Sequence, residues 1–149
     1  VWALLRAGAG EVSVWNRTAS RAEVLARDLG ARPALRPEPA DLLVNCTSVG
    51  LAWPSGAPGV ELSATEGGAL NQLGLTFDQV GEFSNVIDLV YHPKPTALLA
   101  AADAQGVRTI DGLQVLVAQG ALSFELWTGR DAPRELMARA ARARESLLD

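Results

Sequence analysis

A chain of 149 residues with 48% hydrophobic and 20% charged positions has the balance of one globular domain and speaks against disorder. Its net charge of −4 gives no clustered Lys and Arg of the kind a phosphate backbone needs, so nucleic acid is not an expected partner. The single cysteine, Cys46, cannot build a disulfide framework or a thiolate metal site, and points to a reducing compartment.

No apolar run reaches the roughly 18–20 residues that would span a bilayer, so no membrane partner is expected. The opening Val1-Trp2-Ala3-Leu4-Leu5-Arg6 lacks the charged leader and cleavage site of a signal peptide. The expectation is a cytoplasmic protein. With no initiator Met, its natural start is expected upstream of Val1, and the chain reads as a truncated fragment. The basic run Arg134, Arg139, Arg142 and Arg144 is interleaved with Glu135 and Glu145 on a helical pattern, and reads as a solvated face.

In chain order, residues 1–8 read as the tail of a helix ended near Gly8 and Gly10. Residues 11–15 alternate as a strand. Thr18 is placed to cap the next helix with its side-chain oxygen, and Ala22, Leu25, Ala26 and Leu29 share one face before Gly30 stops it. Residues 32–36 suit a short edge strand, because Pro33 and Pro37 fit poorly in a sheet centre. Asp41–Asn45 reads as a buried strand. A stretch over 50–84, rich in Gly, Pro and Ser, is expected to hold a loop and one short helix near 75–81. Val86–Val90 is the next strand, 96–105 a helix ended by Gly106, and 107–110 a strand. Helices over 113–127 and 133–148 close the chain, with Pro133 tolerated at a first turn.

This alternation predicts an α/β fold, a Rossmann-like doubly wound parallel sheet that lacks its first strand and Gly-rich loop. That first strand lies centrally in such a sheet. Without it, the strands at 11–15 and 41–45 should each show an open apolar edge.

Four segments carry candidate chemistry. Asn16-Arg17-Thr18 follows the strand that would meet the adenosine ribose, with Arg21 one helical turn on. A carboxylate there would grip a 2′-hydroxyl; a guanidinium binds a 2′-phosphate bidentately, which favours NADP over NAD. The same residues also suit an ordinary capped turn. Asn45-Cys46-Thr47-Ser48-Val49-Gly50 leaves a strand at the carboxyl side of the sheet, where small residues let a ribose and diphosphate approach. Cys46 within it reads as a small buried filler. In Asp88-Leu89-Val90-Tyr91-His92-Pro93-Lys94-Pro95-Thr96 the tyrosine aims at the substrate side, while His92, between stiffening prolines, reads as an exposed turn residue rather than a base. Asp111-Gly112 opens a helix in which Gln119 shares a face with Gly112 and Val115; its amide can both donate to and accept from a polyol hydroxyl.

Together these segments resemble the shikimate dehydrogenase family, through Asn16, Arg17, Thr18 and Arg21; Asn45, Thr47 and Gly50; Asp88, Tyr91, Pro93 and Thr96; and Asp111, Gly112, Leu116 and Gln119. Phe124-Glu125-Leu126-Trp127-Thr128-Gly129 also looks like the family, and the match spans nearly the whole chain. The resemblance implies that Asn16, Arg17, Thr18 and Arg21 hold NADP, that Thr47 and Ser48 line its site, and that Leu89 and Gly112 contact the nicotinamide end. It implies that Tyr91 and Gln119 reach the hydroxyls or carboxylate of shikimate.

On this resemblance the chain is an incomplete NADP-binding domain over 1–149, without the substrate domain that carries the family's acid–base Lys and Asp. No residue here matches that pair, and Lys94, the only lysine, sits in a turn. The implied reaction is NADPH-dependent reduction of 3-dehydroshikimate to shikimate in chorismate and aromatic amino-acid biosynthesis, with the fragment itself inactive. A homodimer stays open as an assembly. The alternatives are a quinate/shikimate dehydrogenase using NAD(P) and a noncatalytic NADP-binding module. A glutamyl-tRNA reductase shares the Asn-Arg-Thr turn but not the tyrosine and glutamine segments. Val115 stands where the family often has Met, and the stretch 51–84 looks long for it.

Overall fold

Within each sheet, strands that pair with one another are joined through helix, and connections of that length return the chain in the same direction, so the strands pair in parallel. The structure, a computed structural model, describes residues 1–51, 66–91 and 95–145. After α1 (Trp2–Arg6), a first unit runs β1 (Ser13–Val14), α2 (Ala19–Leu29), β2 (Arg32–Pro33). A second runs β3 (Leu42–Asn45), α3 (Glu66–Gln72), α4 (Phe77–Val80), β4 (Asn85–Asp88), α5 (Ala97–Ala104), β5 (Arg108–Ile110). The helices α6 (Gly112–Thr128) and α7 (Arg134–Glu145) pack on each other.

Two sheets result, β1–β2 and β3–β4–β5, both parallel. Among the described residues β1 pairs only with β2 and β3 only with β4, so each keeps one open edge, as expected for a Rossmann-like sheet interrupted between them. The open edge shows in the burial of β3. Leu42, Leu43 and Val44 are only half-buried, where a fully buried strand was expected.

The core belongs to the second unit. Val86 (0% exposed) lies on the covered face of β4, beneath Leu98, Leu99 and Ala102 of α5. α5 is rich in alanine and leucine, strong helix formers, and starts where the Thr96 side chain accepts from the Leu99 N–H. Leu70 of α3, with Leu73, Leu75, Val80 and Phe83, closes the other side. One short helix was expected in this region and two are present. Gly67 and Gly68 obscure the periodicity of α3, and burial of Leu70 overrides their poor propensity. Residues 52–65 of the expected loop, the expected turn at 92–94 and the expected helix end beyond 145 lie outside the described residues.

The face expected for α2 is only partly covered. Ala22 and Ala26 are buried, Leu29 is half-buried and Leu25 is 44% exposed. The two short strands under α2 are too narrow to cover a full apolar stripe. Trp15, just after β1, ties this unit to the second: a Cβ built on Gly74 would stand 3.0 Å from its Cζ2 and 3.2 Å from Pro37 Cδ. Gly74 also has φ +69°, in the left-handed region. Gly74→Ala is expected to cost about 1–3 kcal/mol by combining a strained backbone with overpacking, read as a lower urea midpoint at unchanged slope.

Candidate cofactor and substrate site

In parallel sheets the carboxyl ends of the strands share one rim, and ligands bind along it. Each sequence-predicted segment leaves its strand at that end: Asn16-Arg17-Thr18 after β1, Thr47-Ser48 after β3, Leu89 and Tyr91 after β4, Gly112 after β5.

At the end of β1 the local bonding differs from expectation. Thr18 is the N-cap residue of α2, but its side chain makes no cap hydrogen bond. Asn16 Oδ1 instead accepts from the Thr18 N–H at 2.9 Å, since an Asn two residues before a backbone amide closes its own turn. The Thr18 hydroxyl is thereby left available beside the first turn of α2. Arg17 and Arg21 are exposed and enter no ion pair among the described residues. Two unpaired guanidinium groups, a free hydroxyl and a helix N-terminus fit a phosphate.

At the ends of β3 and β4 the site is tightly built. The register sets Asn45 opposite Asp88. Asn45 Nδ2 donates to Asp88 Oδ1 at 2.9 Å and to the Val49 carbonyl at 3.3 Å. Asn45 Oδ1 accepts from the Thr47 N–H at 2.9 Å and the Thr47 hydroxyl at 2.7 Å. Asp88 Oδ1 also accepts from the Val90 N–H at 3.0 Å, and Oδ2 from the Thr96 hydroxyl at 2.6 Å. Asp88 is 0% exposed. Burial pushes its carboxyl above the ordinary carboxylate range, and hydrogen bonds from Thr96, the Val90 N–H and Asn45 oppose that shift.

This network was not anticipated from the sequence, although one signal was present. Asp88 sits two residues after Val86, so strand alternation puts a charged side chain on the core face of β4. Cys46 corrects the reading in the other direction. It is exposed rather than buried, because β3 ends at Asn45 and the next residue already belongs to the turn.

The network leaves Thr47, Ser48 and Tyr91 exposed at the rim, and Leu89 41% exposed. Gly112 is buried, and a Cβ there would stand 2.6 Å from the Leu89 carbonyl oxygen and 2.7 Å from that of Val90. The start of α6 therefore presses directly on the backbone that carries Leu89 and Tyr91. The Asp111 side chain caps it, accepting from the Gln114 N–H at 2.7 Å. Gln119 is exposed two turns along α6. No group of three or more His, Cys, Asp or Glu suited to a metal occurs among the described residues.

Comparison with known proteins follows the same segments. The family model for the shikimate 5′-dehydrogenase C-terminal domain matches residues 112–142. A shikimate dehydrogenase (NADP(+)) of Thermus thermophilus is 43% identical over 128 residues, which cover 84% of this chain and 42% of that protein. The chain belongs to the shikimate dehydrogenase family. It corresponds to the C-terminal domain of that family and spans about half the length of the curated relatives it matches. The crystal structure of the Thermus thermophilus shikimate 5-dehydrogenase in complex with NADP(H) and shikimate is similar with a TM-score of 0.71. Identity is 39%, over 95% of this chain and 48% of that one. A ligand-free 5-ketofructose reductase of Gluconobacter is also similar, with TM-score 0.68 and 32% identity over 95% of this chain and 50% of that one.

Two outcomes follow from the geometry. Gly112→Ala is expected to displace the Leu89–Tyr91 backbone and lower stability by about 1–3 kcal/mol in urea denaturation, because the opposing atoms are main chain and cannot turn aside. Asp88 has a raised folded-state value, so its contribution to stability is full below the ordinary aspartate range and is lost as pH rises through that folded value. In paired urea titrations from about pH 3 to pH 7, the advantage of the wild-type chain over Asp88→Asn should shrink with rising pH. An advantage that grows would reverse the assigned direction.

Proposed function

We propose that residues 1–149 form the NADP-binding domain of a cytoplasmic shikimate dehydrogenase that reduces 3-dehydroshikimate to shikimate with NADPH. The observation that carries this is the pair of unpaired guanidinium groups, Arg17 and Arg21, beside the available Thr18 hydroxyl at the start of α2. Both the names of the curated relatives and the NADP(H)–shikimate complex of the Thermus enzyme support it.

In this reading Arg17 and Arg21 neutralise the adenosine 2′-phosphate, while Asn16 holds the turn that presents them. Thr47 and Ser48 line the cofactor, and Leu89 and Gly112 lie at its nicotinamide end. Tyr91 and Gln119 offer a phenol and an amide to the hydroxyls or carboxylate of shikimate. When bound, NADPH supplies the hydride for the ketone. Proton transfer is assigned to no residue of 1–149, and belongs to the family's Lys and Asp, which no residue here matches.

A second reading keeps the cofactor and changes the ketone, and the likeness to the 5-ketofructose reductase favours it. Tyr91 and Gln119 suit any polyol, so ring substituents would be chosen elsewhere in the protein. Steady-state assays of the full-length protein separate the two, with shikimate, quinate and 5-ketofructose each offered with the matching oxidised or reduced NADP and NAD. Turnover of shikimate with NADP⁺ supports the first reading, and turnover of 5-ketofructose alone supports the second. Arg17→Asp should raise KM for NADP⁺ roughly 10–100-fold, the equivalent of one lost bidentate charge-assisted contact, and leave NAD⁺ within a few-fold.

A further inference from the structure

The buried group at the centre of the rim reaches no ligand itself. Asp88, Asn45 and Thr96 are 0%, 5% and 7% exposed. A buried carboxylate is costly against an apolar residue of similar size, so its stabilising value alone does not account for it. It does fasten three backbone segments. Through Oδ1 it holds the Val90 N–H, in the segment that carries Leu89 and Tyr91. Through Asn45 it holds the turn that carries Thr47 and Ser48. Through Oδ2 it holds Thr96 at the start of α5, and Thr96 also bounds that turn: a Cβ on Gly50 would stand 3.4 Å from its Cγ2. The Leu89 N–H, donating to the Asn45 carbonyl at 3.0 Å, closes the link between the two segments.

We propose that Asp88 is a positioning residue: with Asn45 and Thr96 it fixes the separation between the Thr47–Ser48 turn and the Leu89–Tyr91 segment, and so sets the cofactor-lining groups against the substrate-binding groups. The proposal rests on the NADP-dependent reading above. Misplacement of reacting groups by about 1 Å can cost 10²-fold in rate, so loosening this link should reach turnover without touching the distant Arg17 clamp.

The test uses the full-length protein with Thr96→Val, which removes the hydroxyl from Asp88, Thr96→Ser, which keeps it, and Asp88→Asn. Two readouts are taken. Amide hydrogen exchange without cofactor should show the Val90 and Thr47 amides opening at least about tenfold faster in Thr96→Val and Asp88→Asn, with Val86 and Ile87 still protected. Steady-state kinetics should show kcat reduced about tenfold or more in both variants, while the Kd of adenosine 2′-monophosphate, which engages only the clamp, stays within about twofold. Thr96→Ser should restore both readouts. Should Asp88→Asn fail to fold, the Val and Ser pair at Thr96 decides alone. Wild-type kcat in Thr96→Val, or equal loss of protection at Val86 and Ile87, overturns the positioning role. If the variants show the expected exchange pattern but the wild-type protein turns over no substrate, the functional reading is overturned and only a structural lock is left.

Discussion

A carboxylate with no solvent access governs the rim at the carboxyl ends of β3 and β4. Asp88 lies on the core face of β4, next to Val86 and the apolar side of α5, where an unpaired charge could not persist. It therefore imposes its hydrogen-bond demands on its surroundings. Thr96 must present its hydroxyl while also capping α5, the Val90 N–H must turn inward, and Asn45 must stand directly across the sheet. No buried side-chain nitrogen or oxygen among the described residues lacks a partner, so the cluster meets those demands fully. The loops beyond β3 and β4 inherit their shape from this arrangement.

The two ends of the proposed cofactor site are built on different principles. The adenosine end stands on the narrow β1–α2–β2 unit, where Ala22 and Ala26 are the buried residues of α2 and the functional groups are exposed cations. A phosphate can be held there by charge and by helix donors, which tolerate some looseness. The nicotinamide end stands on the well-packed β3–β4–β5 unit, with Gly112 pressed on the Leu89–Val90 backbone. Orientation of a reacting centre tolerates much less looseness, and that end carries the dense hydrogen-bond network.

Much of this was legible in the residues. Positions and types of nearly all elements follow from periodicity and from Gly and Thr punctuation, and the four candidate segments do leave strands at their carboxyl ends. The misses share a cause. Leu25, the half-buried β3 and exposed Cys46 were all misread because pattern shows which side chains are apolar, not how much neighbouring structure is there to cover them. The Thr18 cap was misread because two side chains, Asn16 and Thr18, could both serve the same turn, and composition does not rank them.

The sequence by itself determined the parallel α/β alternation, the unbalanced cations Arg17 and Arg21, and the family. Each is set by local composition and spacing, which a linear reading contains in full. Only the tertiary structure decided what Asp88, Asn45, Thr96 and Gly112 do. Asn45 and Asp88, 43 positions apart in sequence, meet across the sheet, and Gly112 meets the backbone of Leu89 and Val90 from the start of α6. Such contacts depend on strand register and helix placement, which are set by packing of the whole core rather than by any segment that carries the residues.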